Sequence, residues 1–262
     1  MAQAAGLFVE RAGPRGGTPL ILSAGLGGSA TYWRPNLAAL AERHDVIAYD
    51  HRGTGRSARD VPGVLTIEDM GDDLLALMDA LDIERATVIG HAIGGMAGLS
   101  AALARPDRIE RLVVVNGWAA LDPATARCFD TRLTLLRAAG ARAYLRAQPI
   151  FLYPPQWISD HDDAMEGEVE AQLAHMPPPD MIERRIAAAR RFGAIDRLRH
   201  LAVPTLLVAS DDDTLVPPSC SERMRAATGE HVQLARMAHG GHACTVTRAE
   251  HFNLWLLDWL DG

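Results

Sequence analysis

Three short stretches carry the residue types of a hydrolytic site: Gly90-His91-Ala92-Ile93-Gly94, Asp211-Asp212-Asp213 and Gly240-Gly241-His242. The first has the glycine frame of a nucleophile elbow, G-x-S-x-G, where a sharp strand-to-helix turn holds a serine hydroxyl above a parallel sheet. Here the nucleophile position is Ala92. A methyl group cannot attack a carbonyl, so no acyl-enzyme forms at this position. The other two stretches supply an acid and a base in the order elbow, acid, base. Asp213 stands four residues before Pro217, the usual offset for the acid, and is preferred to Asp211 and Asp212. His242, after the paired glycines, is the expected base. His91 is expected to pack beneath the turn.

The remaining chemical signals are weaker. "SAGLGGSATYW", Ser23–Trp33, is a glycine-rich loop after a strand, but it lacks the Lys-Ser/Thr pair of a P-loop, so a phosphate cradle ranks low. "YDHRGTGRS", Tyr49–Ser57, reads as structural, with Arg52 and the glycines bracing the loop. Cys244 lies close to His242, yet a reactive thiolate belongs on the elbow, and a small buried residue at a helix start is the better reading. Ser159–Asp163, "SDHDD", offers ligand types on a polar loop, where adjacent residues rarely converge on one ion. Neither a metal nor a cofactor is expected.

These motifs need a frame. Apolar runs at Leu20–Ser23, Val46–Tyr49, Ala86–Ile89, Leu112–Val115, Thr205–Ala209 and Val232–Ala235 read as strands. Helical patterns lie around Pro35–Glu42, Ile67–Leu81, Gly95–Ala104, Ser219–Ala227 and Arg248–Leu260. Such alternation predicts an α/β chain, a mostly parallel sheet flanked by helices. It breaks over residues 119–198, which read as helices and loops and predict a helical cap inserted into one domain whose core is 1–118 and 199–262. Within that cap "RRIAAARR", Arg184–Arg191, reads as an amphipathic helix with its basic residues on the wet side. Ligands of open α/β sheets bind at the carboxyl ends of the strands, beneath such a cap.

At 262 residues, 48% hydrophobic and 23% charged, the chain has ordinary globular composition. A net charge of −7 argues against nucleic acid or an anionic membrane as partner. The widely spaced Cys128, Cys220 and Cys244 predict free thiols in a reducing compartment. No signal peptide or membrane span is legible, so a cytoplasmic protein, monomer or homodimer, is expected.

Taken together, the motifs resemble the α/β-hydrolase superfamily over nearly the whole chain. A finer resemblance is to the RutD family, aminohydrolases of bacterial pyrimidine utilisation. It is carried by "SAGLGGSATYW", "YDHRGTGRS", "GHAIG", "NGW", "RCF", "AQPIFLYPPQW" and "GGHACTVT". Members of that family also have alanine at the elbow, so the resemblance implies that Ala92 is native. The chain departs from the wider superfamily at Ala92 and at Ala24, where a histidine usually begins the oxyanion loop. The resemblance implies that the backbone N–H groups of Leu26 and Ile93 form an anion seat, the second at a helix N-terminus. It further implies a small carboxylate substrate in uracil degradation, carbamate or 3-aminoacrylate, losing ammonia by cleavage of a C–N bond. Magnitudes agree with a labile substrate. A positioned histidine contributes roughly 10²–10⁴-fold, and a site without its full triad retains roughly 10³–10⁴-fold over water. That is too little for an amide or an unactivated ester. Two alternatives stand beside this reading: a serine esterase or lactonase captured as a Ser→Ala variant at 92, and a catalytically dead hydrolase fold retained as a binding protein.

Overall fold

The computed structural model describes residues 2–262. Its sheet has eight strands: β1 (Ala2–Ala4), β2 (Leu7–Ala12), β3 (Leu20–Ser23), β4 (Val46–Tyr49), β5 (Ala86–His91), β6 (Ile109–Val115), β7 (Thr205–Ser210) and β8 (Val232–Met237). Their spatial order is β1-β2-β4-β3-β5-β6-β7-β8. From β4 to β8 every neighbour pair is parallel, and β1 and β2 add antiparallel strands at one edge. The central strands β3, β4, β5 and β7 are buried along their whole length, as continuous apolar runs covered on both faces must be.

Helices cover those faces. On one side lie α1 (Arg34–Ala41) and α9 (Ala249–Asp261), with Trp33, Leu40, Phe252 and Leu256 in the core beneath them. On the other lie α2 (Ile67–Ala80), α3 (Ile93–Ala104) and α7 (Ser219–Ala226). A capping box opens α2: Asp69 N–H donates to Thr66 Oγ1 over 3.0 Å, and Thr66 N–H donates to the Asp69 carboxylate over 2.8 Å. Between β6 and β7 the chain leaves the sheet for α4 (Pro123–Leu152), α5 (Pro155–His175) and α6 (Pro179–Arg191). Within α4 the helix breaks at Gly140, whose φ of 81° is not helical. The short α8 (Cys244–Thr247) precedes α9.

Several sequence expectations need correction. The hairpin β1–β2 was not foreseen: in Leu7–Ala12 only Leu7 and Val9 are buried, a weak signal. Helix α3 starts at Ile93, directly from the elbow, and not at Gly95. Ser159–Asp163 lies inside α5, not on a loop; Pro154 and Pro155 set the helix start, and the segment's polarity belongs to an exposed helix. Arg185 is the largest departure. It is 0% exposed, on the inner face of α6 with Met181, Ile182, Ile186 and Ala189. Among the described residues no helix is long and apolar enough to cross a membrane, and no group of three or more His, Cys, Asp or Glu side chains could hold a metal ion.

Candidate active site

The elbow is built from strand β5, Ala92 and helix α3. Ala92 has φ 47° and ψ −115°, outside the regions that residues with a Cβ favour, at a cost of roughly 1–3 kcal/mol. Its flanking glycines are steric necessities. A Cβ on Gly90 would overlap the Gly94–Gly95 backbone, and one on Gly94 would overlap the carbonyl oxygens of Ser23 and Ala24. The turn is pinned by Ala92 N–H, which donates to Val115 O over 2.8 Å, and by Met96 N–H, which donates to Ala92 O over 3.0 Å. The Ala92 methyl is 5% exposed and ends where a nucleophile's oxygen would begin.

Asp213 and His242 are brought together. His242 Nδ1–H donates to Asp213 Oδ2 over 2.8 Å, and both side chains are buried. Asp213 Oδ1 accepts from the N–H groups of Leu215 and Val216, each over 2.8 Å. Three hydrogen bonds therefore hold the carboxylate against the imidazole. The neighbouring acids do other things. Asp211 pairs with Arg236 at the surface. Asp212 accepts from Gly241 N–H over 2.8 Å and Gly240 N–H over 3.2 Å, which folds the turn carrying His242. With Nδ1 committed, Nε2 is the imidazole nitrogen left for chemistry.

The turn is held from two further sides by residues that were not assigned to the site from sequence. The His242 carbonyl accepts from Asn116 Nδ2 over 2.8 Å and from His91 Nε2 over 2.9 Å. Asn116 Oδ1 in turn accepts from Ser210 N–H over 3.0 Å, tying the end of β6 to β7 and to the base. Because His91 gives its Nε2 proton to a carbonyl, its Nδ1 is the bare nitrogen of a neutral ring. Burial, reinforced by the nearby His242, holds the His91 pKa well below the usual histidine value. His91 also stacks on Tyr32, centroids 4.6 Å apart. Its Nδ1 has no protein partner among the described residues. A Cβ placed on Gly25 would stand 2.8 Å from that nitrogen and 3.6 Å from the Ala92 methyl, so Gly25 packs closely against both.

Leu26 follows Gly25 on the loop after β3, and Ile93 begins α3. Among the described residues neither backbone N–H donates to a protein acceptor. Cys244 is buried at the start of α8, and burial pushes its thiol up to about 12, so it is no thiolate at neutral pH. Arg132 of α4 is buried among the rings of Phe129, Tyr144 and Phe151, and donates to Tyr144 Oη over 3.1 Å and to Gln148.

The helical insert is hydrogen-bonded to the acid loop, to the base turn and to the loop after β3. Thr125 of α4 donates to Leu215 O over 2.8 Å, beside the acid. Ala243 N–H, next to the base, donates to Leu152 O over 2.9 Å. Arg185 of α6 donates to the carbonyls of Leu26 over 2.8 Å and Gly25 over 3.1 Å. Between the α4–α5 junction and the acid loop opens a cavity of about 550 Å³, lined by Ile150, Tyr153, Pro154, Ile158, Asp213 and Thr214 among others.

Residues 18–248 match the family described as alpha/beta hydrolase fold. A protein of Caulobacter sp. (strain K31) named "Putative carbamate hydrolase RutD" is 50% identical over 93% of this chain and 90% of its own length. The protein of the same name from Serratia proteamaculans (strain 568) is 45% identical over 92% of this chain and 90% of its own. The chain belongs to the RutD family of the α/β-hydrolase fold. Within that fold, the enol-lactonase from Burkholderia xenovorans LB400 superimposes with a TM-score of 0.86, at 25% identity, covering 98% of this chain and 96% of the other.

Proposed function

We propose that the protein is a C–N hydrolase that releases ammonia from a small, labile carboxylate such as carbamate or 3-aminoacrylate, using His242 and Asp213 without a nucleophile. The observation that carries this reading is the buried Asp213–His242 pair at 2.8 Å beside an elbow whose side chain is a methyl. A protein kept only for binding has no need of an imidazole oriented by a triply hydrogen-bonded carboxylate. The names of the RutD relatives support carbamate chemistry for the family.

In this reading the substrate carboxylate sits on the N–H groups of Leu26 and Ile93, where the positive end of α3 adds to the attraction. With 3-aminoacrylate, Nε2 of protonated His242 delivers its proton to the carbon next to the carboxylate. The enamine electron pair forms the new C–H bond, and the nitrogen becomes an iminium. The imidazole, now neutral, takes a proton from water as its oxygen adds to the iminium carbon. Returning that proton to nitrogen lets the C–N bond break with its electrons on nitrogen while the imidazole takes the hydroxyl proton, giving ammonia and the aldehyde acid and restoring the imidazolium. With carbamate a single proton delivered to nitrogen suffices: the C–N bond breaks, and ammonia and carbon dioxide leave. Asp213 keeps the imidazole in the tautomer and orientation that both steps require.

The test is ammonia release from freshly generated carbamate and 3-aminoacrylate, with and without protein. His242→Ala should lower the protein-dependent rate by about 10²–10⁴-fold, the usual contribution of a positioned acid–base group. Release no faster than the spontaneous rate, or release indifferent to His242, would overturn the proposal.

A further inference from the structure

Arg185 is a cation in the interior without a counter-ion. It is 0% exposed, and among the described residues no carboxylate pairs with it. Its Nε–H donates to Leu26 O over 2.8 Å, while Nη2 donates to Gly25 O over 3.1 Å and to His51 Nδ1 over 3.0 Å. Nη1 is buried with no protein partner. Burial also lowers its pKa to about 10, which still leaves it charged at neutral pH. His51, whose own pKa burial and Arg185 hold well below the usual value, stays neutral, so its Nδ1 accepts and its Nε2–H reaches Ser23 Oγ over 3.0 Å.

An unpaired buried charge is expensive, and a plain tether between α6 and the loop after β3 would need only a neutral donor. The acceptors it has chosen explain the charge. Gly25 C=O and Leu26 N–H belong to one planar trans peptide, so the donors on the carbonyl, Gly28 N–H over 3.0 Å and the charged Arg185, together hold the N–H pointing the opposite way. A charged donor also polarises the unit and strengthens the N–H as a donor.

We infer that Arg185 is the positioning residue of the anion seat: from the helical insert, through the Gly25–Leu26 peptide, it aims and strengthens the Leu26 N–H, and the bound carboxylate is its missing counter-ion. Arg185 does not touch the substrate. This inference rests on the reading of Leu26 and Ile93 as an anion seat, and predicts that the seat's affinity depends on a charge one peptide unit behind it.

Acetate serves as the probe, in titrations of ¹⁵N-labelled protein followed by the amide resonances of Leu26 and Ile93. In the native protein both resonances should shift as acetate binds. Arg185→Gln should weaken acetate roughly tenfold to a hundredfold, less than the ~10²–10³ lost when an oxyanion donor is removed outright. In the free variant the Leu26 amide proton should move upfield while that of Ile93 stays in place. Arg185→Lys, which keeps the charge but not the fork, should fall between the two. Should Arg185→Gln fail to fold, Arg185→Lys decides: weakened acetate with a displaced Leu26 resonance supports the inference. Unchanged acetate affinity in a folded variant would overturn it and leave the seat intact. No shift of either amide in the native protein would sink the seat itself, and the inference with it, whatever ammonia release shows.

Discussion

At the scale of single residues, the site turns on a methyl group. Ala92→Ser adds a hydroxyl to a turn whose glycines and backbone angles already suit one. We expect measurable turnover of small activated esters, with an initial burst as the acyl-enzyme accumulates. Ammonia release should stay level or fall, because the hydroxyl occupies space the substrate carboxylate or attacking water uses; a large rise would mean that serine belongs at 92. Asp213→Asn should cost ammonia release more than twentyfold, while Asp211→Asn, which only loses the surface pair with Arg236, should leave the rate unchanged within twofold, an estimate resting on the roughly 10²–10⁴ contributed by an oriented acid–base group. Much at this scale is legible in the sequence. The preference for Asp213 over its neighbours and the pairing with His242 needed only order and spacing, and the structure puts those two side chains in contact. Asn116 and His91 are different. Each acts on the His242 backbone carbonyl, an acceptor every residue has, from more than a hundred positions away. No local pattern announces such a bond.

At the scale of elements, glycine divides into two kinds. Gly94, in the first turn of α3, has backbone oxygens where a Cβ would go, so Gly94→Ala should destabilise by roughly 1–3 kcal/mol, the usual range for overpacking. Gly167, exposed within α5, meets nothing within 4 Å, and Gly167→Ala should stabilise by about 0.5–1 kcal/mol through helix propensity. Urea midpoints of the two variants should move in opposite directions. The parallel strands were readable because a strand covered on both faces is a continuous apolar run. The hairpin β1–β2 was not, since an edge ribbon buries only alternate residues and is completed by pairing with β4. Helix α6 was legible as a helix and misread in its facing. Arg185 follows Met181 by four and Ile182 by three, and precedes Ala189 by four, which is the buried stripe. The spacing placed it inside; only its charge argued otherwise.

At the scale of the whole molecule, the buried histidines couple the fold to pH. Burial holds both His51 and His91 below their usual pKa. In the unfolded chain they take up protons as pH drops through about 6.5, whereas the native protein resists doing so. Their contribution is therefore fully present above about pH 6.5 and is lost as pH falls towards the depressed native values. Each adds a slope of up to about 1.4 kcal/mol per pH unit in that window. Unfolding free energies measured between pH 7.5 and 5.5 should decline, and His51→Gln should flatten the decline by up to that slope. A stability that rises on acidification over this range would contradict the burial of these rings.

The attachment of the helical insert to the acid loop, the base turn and the loop of Gly25 and Leu26 has a consequence for traffic. Lifting the roof would break all three sets of bonds at once, and an opening already stands at its edge, beside Tyr153, Ile158 and Thr214 and next to Asp213. An enzyme with a doorway in place of a moving door does not wait on a hinge. Its turnover number should then be indifferent to solvent friction: doubling the viscosity with sucrose should leave kcat unchanged, where a roof that opens in every cycle would slow in proportion.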